Sequence, residues 1–239
     1  MMNNCVLKIE KLLIGYKKVI LPEINLSANN HDFICILGKN GVGKTTFLKT
    51  IVGIISGKGG NIFLGEKNLS DLSNRIKSTL ISFVPSQLEY FSNLTVYELV
   101  SLGRSPYTNI FDNKNEKDIE IIEQAIRQLN LIPLKNKALY EISDGERQRT
   151  MICRAIVQQT PIIVLDEPTA FLDYPTKKQI TQDLKQITQG KNLSVIFSTH
   201  DIALALRYST KIWLFDKNVE EFDTKELSKT NKLKEILDF

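Results

Sequence analysis

The sequence predicts an α/β fold with a mostly parallel core sheet, an N-terminal antiparallel β subdomain and an inserted helical subdomain. Three observations predict it. Short, mostly apolar runs at Phe33–Leu37, Leu80–Val84, Ile162–Leu165, Ser194–Phe197 and Ile212–Phe215 read as strands buried on both faces, as the strands of parallel sheets are. The first thirty residues carry alternating apolar and polar positions, the pattern of antiparallel strands. Between about residues 87 and 149 the texture turns helical. All 239 residues are assigned to one unit. Residues 1–86 and 150–239 form the core with its β subdomain, and 87–149 the helical insert.

In chain order, Val6–Glu10 and Val19–Leu21 flank a turn at Gly15, and Ile24–Leu26 alternates. Tyr16 lies at the tip of this region. Phe33–Leu37 is a buried strand, and a helix starts near Thr46. Gly57–Gly60 is a turn leading into a strand at Asn61–Leu64, with a second turn at Gly65. Leu80–Val84 is a strand stopped by Pro85. Thr95 followed by Glu98 is a capping box that opens a helix. Gly103–Asn115 reads as a polar loop. Asp118–Leu131 places Ile119, Ile122, Ala125, Ile126 and Leu129 on one helical face. A helix at about Thr176–Ile187 separates two later strands, and the charged residues 220–239 read as a surface helix.

Composition narrows the class. Hydrophobic and charged fractions of 42% and 24% are those of an ordinary globular protein. The net charge of +4 is spread along the chain with no run of five or six basic residues, so nucleic acid is not an expected partner. No apolar stretch approaches the roughly 18 residues of a membrane span. Met1–Cys5 lacks a charged segment followed by an apolar one, so no secretory signal is expected and the default location is cytoplasmic. Cys5, Cys35 and Cys153 are few and far apart, which suits small core residues in a reducing compartment. With only His31 and His200 beside them, a His/Cys metal centre is not expected.

The chemistry starts at Gly38-Lys39-Asn40-Gly41-Val42-Gly43-Lys44-Thr45. This fits G-x-x-x-x-G-K-[ST], the phosphate-binding loop, in its required strand–loop–helix context. The glycines let backbone N–H groups aim at phosphate oxygens, and the helix N-terminus adds partial positive charge. Gly38, Asn40, Gly41, Gly43, Lys44, Thr45 and Thr46 are therefore the expected ATP contacts. Lys44 reaches the β- and γ-phosphates and the Thr45 hydroxyl sits on Mg²⁺. A bare turn would need neither the Lys-Thr pair nor its spacing. About 120 residues downstream, Ile162–Leu165 ends in Asp166-Glu167. A buried strand delivers its last side chains to the sheet edge where ligands bind. There Asp166 is expected to hold the Mg²⁺ hydration shell, and Glu167 to polarise the attacking water as general base.

A third stretch, Ile142-Ser143-Asp144-Gly145-Glu146-Arg147-Gln148, opens a helix shortly before that strand. With the two motifs above it, the whole chain resembles the nucleotide-binding subunit of an ABC transporter. Ile142–Glu146 is similar to the family's Leu-Ser-Gly-Gly-Gln stretch, with Asp144 replacing the first glycine. The resemblance implies a head-to-tail pair of cassettes in which Ser143 and Gly145 of one close over ATP held by the other. It also implies that His200, in Ser198-Thr199-His200-Asp201, contacts the γ-phosphate. Phe171-Leu172-Asp173 then becomes the loop through which two cassettes communicate, with Asp173 as its acid, and Tyr16 stacks on adenine. The family's glutamine after the third strand follows Pro directly; here Pro85 is followed by Ser86 and then Gln87. Gln87 is taken as the residue reaching metal and water, with Ser86 as the alternative.

Val96–Tyr107, with Leu102-Gly103-Arg104-Ser105-Pro106-Tyr107, and Leu172–Thr176 resemble importers of iron–siderophore, heme and cobalamin. The implied protein is an ATPase at the cytoplasmic face of the inner membrane. Its partners are a second copy, an integral permease and, indirectly, an extracytoplasmic substrate-binding protein. Zinc or manganese import is the alternative cargo. A soluble ABC ATPase of translation or DNA repair is the rival class, set against the single cassette and the short helical insert without sustained heptads.

Overall fold

The computed structural model describes residues 5–86, 93–109, 111, 113–170, 172–190 and 192–227. Two sheets organise it. β1 (Cys5–Ile14), β2 (Leu21–Asn29), β4 (Gly59–Leu64) and the two-residue β5 (Lys67–Asn68) form an antiparallel sheet in the order β2-β1-β4-β5. β3 (Phe33–Gly38), β6 (Ile81–Val84), β7 (Ile162–Leu165), β8 (Ser194–Ser198), β9 (Lys211–Phe215) and β10 (Val219–Asp223) form the second, in the order β10-β9-β3-β8-β7-β6. Its first five members in space after β10 are parallel, and β10 closes the edge antiparallel to β9.

The strand period of two divides the core. Ile34, Ile36, Ile162, Val164, Ile196, Trp213 and Phe215 face the antiparallel sheet and helix α1 (Lys44–Ile51). Phe47 of α1 sits edge-on to Trp213 and Phe215, with ring centroids 5.9 and 5.0 Å away. Phe33, Cys35, Leu37, Ile163, Leu165, Val195, Phe197, Ile212 and Leu214 face the opposite way. That second core takes in residues of α3 (Val96–Ser101), α4 (Glu116–Gln128), α5 (Asp144–Val157), α6 (Tyr174–Gly190) and α7 (Ile202–Tyr208). A short helix, α2 (Asn74–Leu80), precedes β6, and the four-residue α8 (Thr224–Leu227) follows β10.

Capping explains several starts. Thr95 and Glu98 exchange hydrogen bonds as the sequence predicts, and Asn115 with Asp118 does the same for α4. Four local readings are corrected. Leu80 ends a helix rather than starting a strand, because Ser73 caps a polar segment with no buried residue of its own. Val19 lies in the loop before β2. Residues 102–107 form a 3₁₀ turn overlapping the start of the expected polar loop, held by Arg104. That guanidinium is buried against Asp118 (2.8 Å), the Val157 carbonyl (2.9 Å) and Gln159 (3.1 Å). Val219–Asp223, expected within a helix from residue 220, is an edge strand whose Glu221 carboxylate accepts the Trp213 indole N–H at 2.8 Å. Among the described residues no helix is long and apolar enough to cross a membrane.

Candidate active site

The site forms where β3, β7 and β8 end side by side. β3 delivers Gly38, whose bare α-carbon lies so close to the chain that an added Cβ would meet the Phe215 carbonyl at 2.4 Å. The loop then turns through Gly41 and Gly43, with φ of 78° and 111°, a region that favours glycine. Gly43 is the N-cap of α1, and its carbonyl accepts from the Phe47 N–H at 2.8 Å. Lys44 is buried at 6% exposure, its ammonium donating to the carbonyls of Gly38 (2.7 Å) and Lys39 (3.1 Å). Burial pulls that ammonium below its ordinary value, opposed by the nearby Glu167 and Asp166 carboxylates. Thr46 is buried, while Asn40 and Thr45 are exposed at the mouth.

The carboxylates are tied into this loop. Thr45 donates its hydroxyl to Asp166 Oδ2 at 2.9 Å. Asp166 is 1% exposed, and its Oδ1 accepts from the Ser198 hydroxyl at 2.8 Å. The same Ser198 oxygen accepts the Glu167 backbone N–H at 2.9 Å. Glu167 Oε1 lies 2.6 Å from His200 Nε2. One hydrogen-bonded path therefore runs from the phosphate-binding loop through Asp166 and Ser198 to Glu167 and His200. Glu167 sits at φ 48°, a left-handed conformation uncommon for a residue with a side chain. A hydroxyl and a carboxylate are hard oxygen donors that suit Mg²⁺, which binds few protein groups and keeps waters and phosphate oxygens.

Other expected residues lie outside this path. Ser143 caps α5: its hydroxyl accepts the Glu146 N–H at 3.3 Å, while Glu146 accepts from Ser143 N–H and O–H at 2.8 and 2.9 Å. That interaction with the Ser143 backbone holds the Glu146 carboxyl below its usual range. Asp144 is ion-paired to Arg147, which also donates to the carbonyls of Leu139 and Ile142. Gly145 packs toward the start of α6, where an added Cβ would meet Thr176 Cγ2 at 3.2 Å. Asp173 is exposed just before α6, and its carbonyl accepts the Lys177 N–H. Tyr16 is 58% exposed on a loop whose Ile20 reaches the position of a Gly43 Cβ to within 3.4 Å. Ser86 is exposed; Gln87 and Phe171 lie outside the described residues. Sequence reasoning missed Ser198 and Ile20. The signal for Ser198 was a hydroxyl closing the apolar run Val195–Phe197 in line with Asp166.

The family profile described as ABC transporter matches residues 21–170. The chain belongs to the ABC transporter family. An uncharacterized ABC transporter ATP-binding protein of Methanocaldococcus jannaschii is 39% identical over 209 residues, 87% of this chain and 72% of the relative. The iron(3+)-hydroxamate import ATP-binding protein FhuC of Bacillus subtilis is 33% identical over 204 residues, 85% of this chain and 76% of that protein. A solved metal-chelate type ABC transporter in an inward-facing conformation is 28% identical, with a TM-score of 0.86 over 98% of this chain and 90% of that one. A dimeric ATP-binding cassette in a post-hydrolysis state with ADP and phosphate is 26% identical, with a TM-score of 0.81 over 91% of this chain and 98% of that one. The chain is thus an ABC transporter ATP-binding subunit with the ABC ATPase fold, and the family implies ATP hydrolysis.

Proposed function

We propose that this chain is the ATP-hydrolysing motor of an importer that takes up a ferric siderophore or a related chelate, heme or cobalamin, through a membrane permease. The observation that carries the motor reading is the hydrogen-bonded path Thr45–Asp166–Ser198–Glu167–His200. In this reading Gly38, Asn40, Gly41, Gly43, Lys44 and Thr46 hold the triphosphate, with Tyr16 on the adenine. Thr45 and Asp166, with Gln87, would hold Mg²⁺, which when bound draws negative charge from the phosphate oxygens.

Glu167 takes the proton of the attacking water, and such a base contributes about 10²–10⁴-fold. His200, already hydrogen-bonded to it, orients that carboxylate toward the γ-phosphate. Ser143 and Gly145 of a second copy complete the site, with Asp173 carrying information between the two. Closing of the pair then drives the permease, against which residues 87–149 lie as the helical subdomain. The pair sits at the cytoplasmic face of the inner membrane, and an extracytoplasmic binding protein supplies the cargo.

The likeness to the hydroxamate import subunit and to the metal-chelate type transporter supports the cargo class. The test is ATP-driven uptake by vesicles holding this chain and its co-purified permease. Uptake of ferric hydroxamate, lost with Glu167→Gln, is the expected result. Uptake of free zinc or manganese instead keeps the motor and replaces the cargo; hydrolysis with no permease recovered overturns the transport reading.

A further inference from the structure

A groove of about 330 Å³ opens at the C-terminal end of α1, the end away from the phosphate-binding loop. Thr50 lines it from the helix and Gly53 from just beyond, Gly57 and Lys58 from the turn into β4, Asn61 from β4 itself and Lys77 from α2. None of these residues belongs to the nucleotide site. The volume falls within the roughly 300–1,000 Å³ of small-molecule sites.

Its charge is one-sided. Lys58 and Lys77 are cations, and no carboxylate lines the groove among the described residues. Elsewhere the fold pairs such groups: Lys8, Lys135 and Lys211 each meet a carboxylate. Neither groove lysine has a hydrogen-bond or ion-pair partner for its ammonium among the described residues. Lys77 is nonetheless held in place. It is half-buried, and its Cδ and Nζ lie 3.3 and 3.5 Å from where a Gly53 Cβ would stand.

A helix C-terminus attracts a lysine through its dipole, which accounts for Lys77 alone. The carbonyls of Leu48, Lys49 and Thr50 are already taken by the N–H groups of Val52, Ile54, Ile55 and Gly53, so they do not consume the ammonium. Lys58 comes from a different element, and the dipole does not explain it. A concave surface lined by one sign of charge focuses its field on an incoming counter-ion. Lysine binds phosphate as a point charge, and a phosphate monoester carries about −1.5 to −2 charges at pH 7. That matches two ammoniums, where a single carboxylate would match one.

We propose that this groove binds a phosphate monoester, its oxygens shared between Lys58 and Lys77. The ester belongs either to a soluble phosphorylated metabolite or to a lipid headgroup, and both present the same group to the same two cations. The site goes beyond the motor reading and uses none of its residues. Its occupant touches the helix that opens with Lys44 and Thr45, at the opposite end.

The test uses the full chain with MgADP at saturation, so that the phosphate-binding loop is filled. Glycerol 3-phosphate, titrated calorimetrically, should bind saturably and weaken by about tenfold or more with each of Lys58→Gln and Lys77→Gln. Lys77→Arg keeps the charge and should keep the binding, and every variant should melt with the parent. Vesicles containing phosphatidic acid supply the headgroup arm. Co-sedimentation of the parent but not of the double Lys→Gln variant assigns the lipid source; glycerol 3-phosphate binding without co-sedimentation assigns the soluble one. Equal affinity of parent and double variant for both probes overturns the site. So does the absence of saturable binding to either.

Discussion

The phosphate-binding loop and the Ser143–Arg147 stretch are both helix N-termini rich in backbone donors, yet the fold treats them in opposite ways. The first is stitched to distant elements. Lys44 turns back onto its own loop, but Thr45 reaches Asp166 across 121 residues, and Ser198 links Asp166 to Glu167 across the sheet edge. The second satisfies itself: Ser143 and Glu146 exchange hydrogen bonds, and Asp144 pairs with Arg147 within one turn. A half-site whose contacts come from its own chain must be built by the fold. In the proposed pairing of two copies, a half-site meant for the other copy's phosphate has to stay exposed, and a capping box keeps such a helix end stable.

Substitutions can break or sharpen that contrast, taken here from the largest effect down. Lys44→Ala removes the buried ammonium that donates to the loop carbonyls, so nucleotide affinity should fall by two orders of magnitude or more (about 3 kcal/mol at 1.4 kcal/mol per tenfold), measured with a fluorescent ATP analogue. Retained affinity would show that the loop backbone alone suffices. Glu167→Gln should keep ATP binding and lower hydrolysis by about 10²–10⁴-fold; a parental rate in single-turnover assays removes Glu167 as base.

Ser198→Ala strips a partner from both the Glu167 N–H and the buried Asp166 Oδ1. It should cost about 1–3 kcal/mol of stability, visible in denaturant melts, and lower kcat more than it raises KM. On the other half-site, Ser143→Ala loses only the α5 cap. Stability should drop by about 0.5–2 kcal/mol with nucleotide affinity of the single chain unchanged. The smallest effect is pH-dependent. The Glu146 carboxyl lies lower in the folded chain than its reference value of 4.5. Its contribution is therefore fully present above about pH 4.5 and lost as pH falls through the folded value. Glu146→Gln should flatten the acid limb of a stability–pH curve slightly; an unchanged limb would mean that the capping bond carries no charge preference.

The sequence was most legible where burial is complete. β3, β7, β8 and β9 are mostly apolar runs, so their existence and parallel pairing were readable, with an end of β3, β8 and β9 each displaced by one residue. The Thr95–Glu98 box was legible because both halves are local. α2 was not, since it buries nothing and so leaves no apolar period. The 3₁₀ turn at 102–107 was hidden because Arg104 looks like a surface residue until Asp118 and Val157, distant in sequence, are seen to enclose it. Glu220–Asp223 reads as part of a charged surface helix in isolation; pairing with β9 makes it a strand. At the site, residue types with their own chemistry were found, whereas Ser198 acts by connecting two of them, and connection is a property of three dimensions.

The left-handed backbone at Glu167 has a consequence for anyone engineering this chain. Such a conformation costs a residue with a side chain about 1–2 kcal/mol, and glycine would adopt it freely. Directed evolution scored on heat resistance alone should therefore enrich Glu167→Gly early. On the proposed mechanism, the thermostable clones would be the ones that no longer turn over ATP.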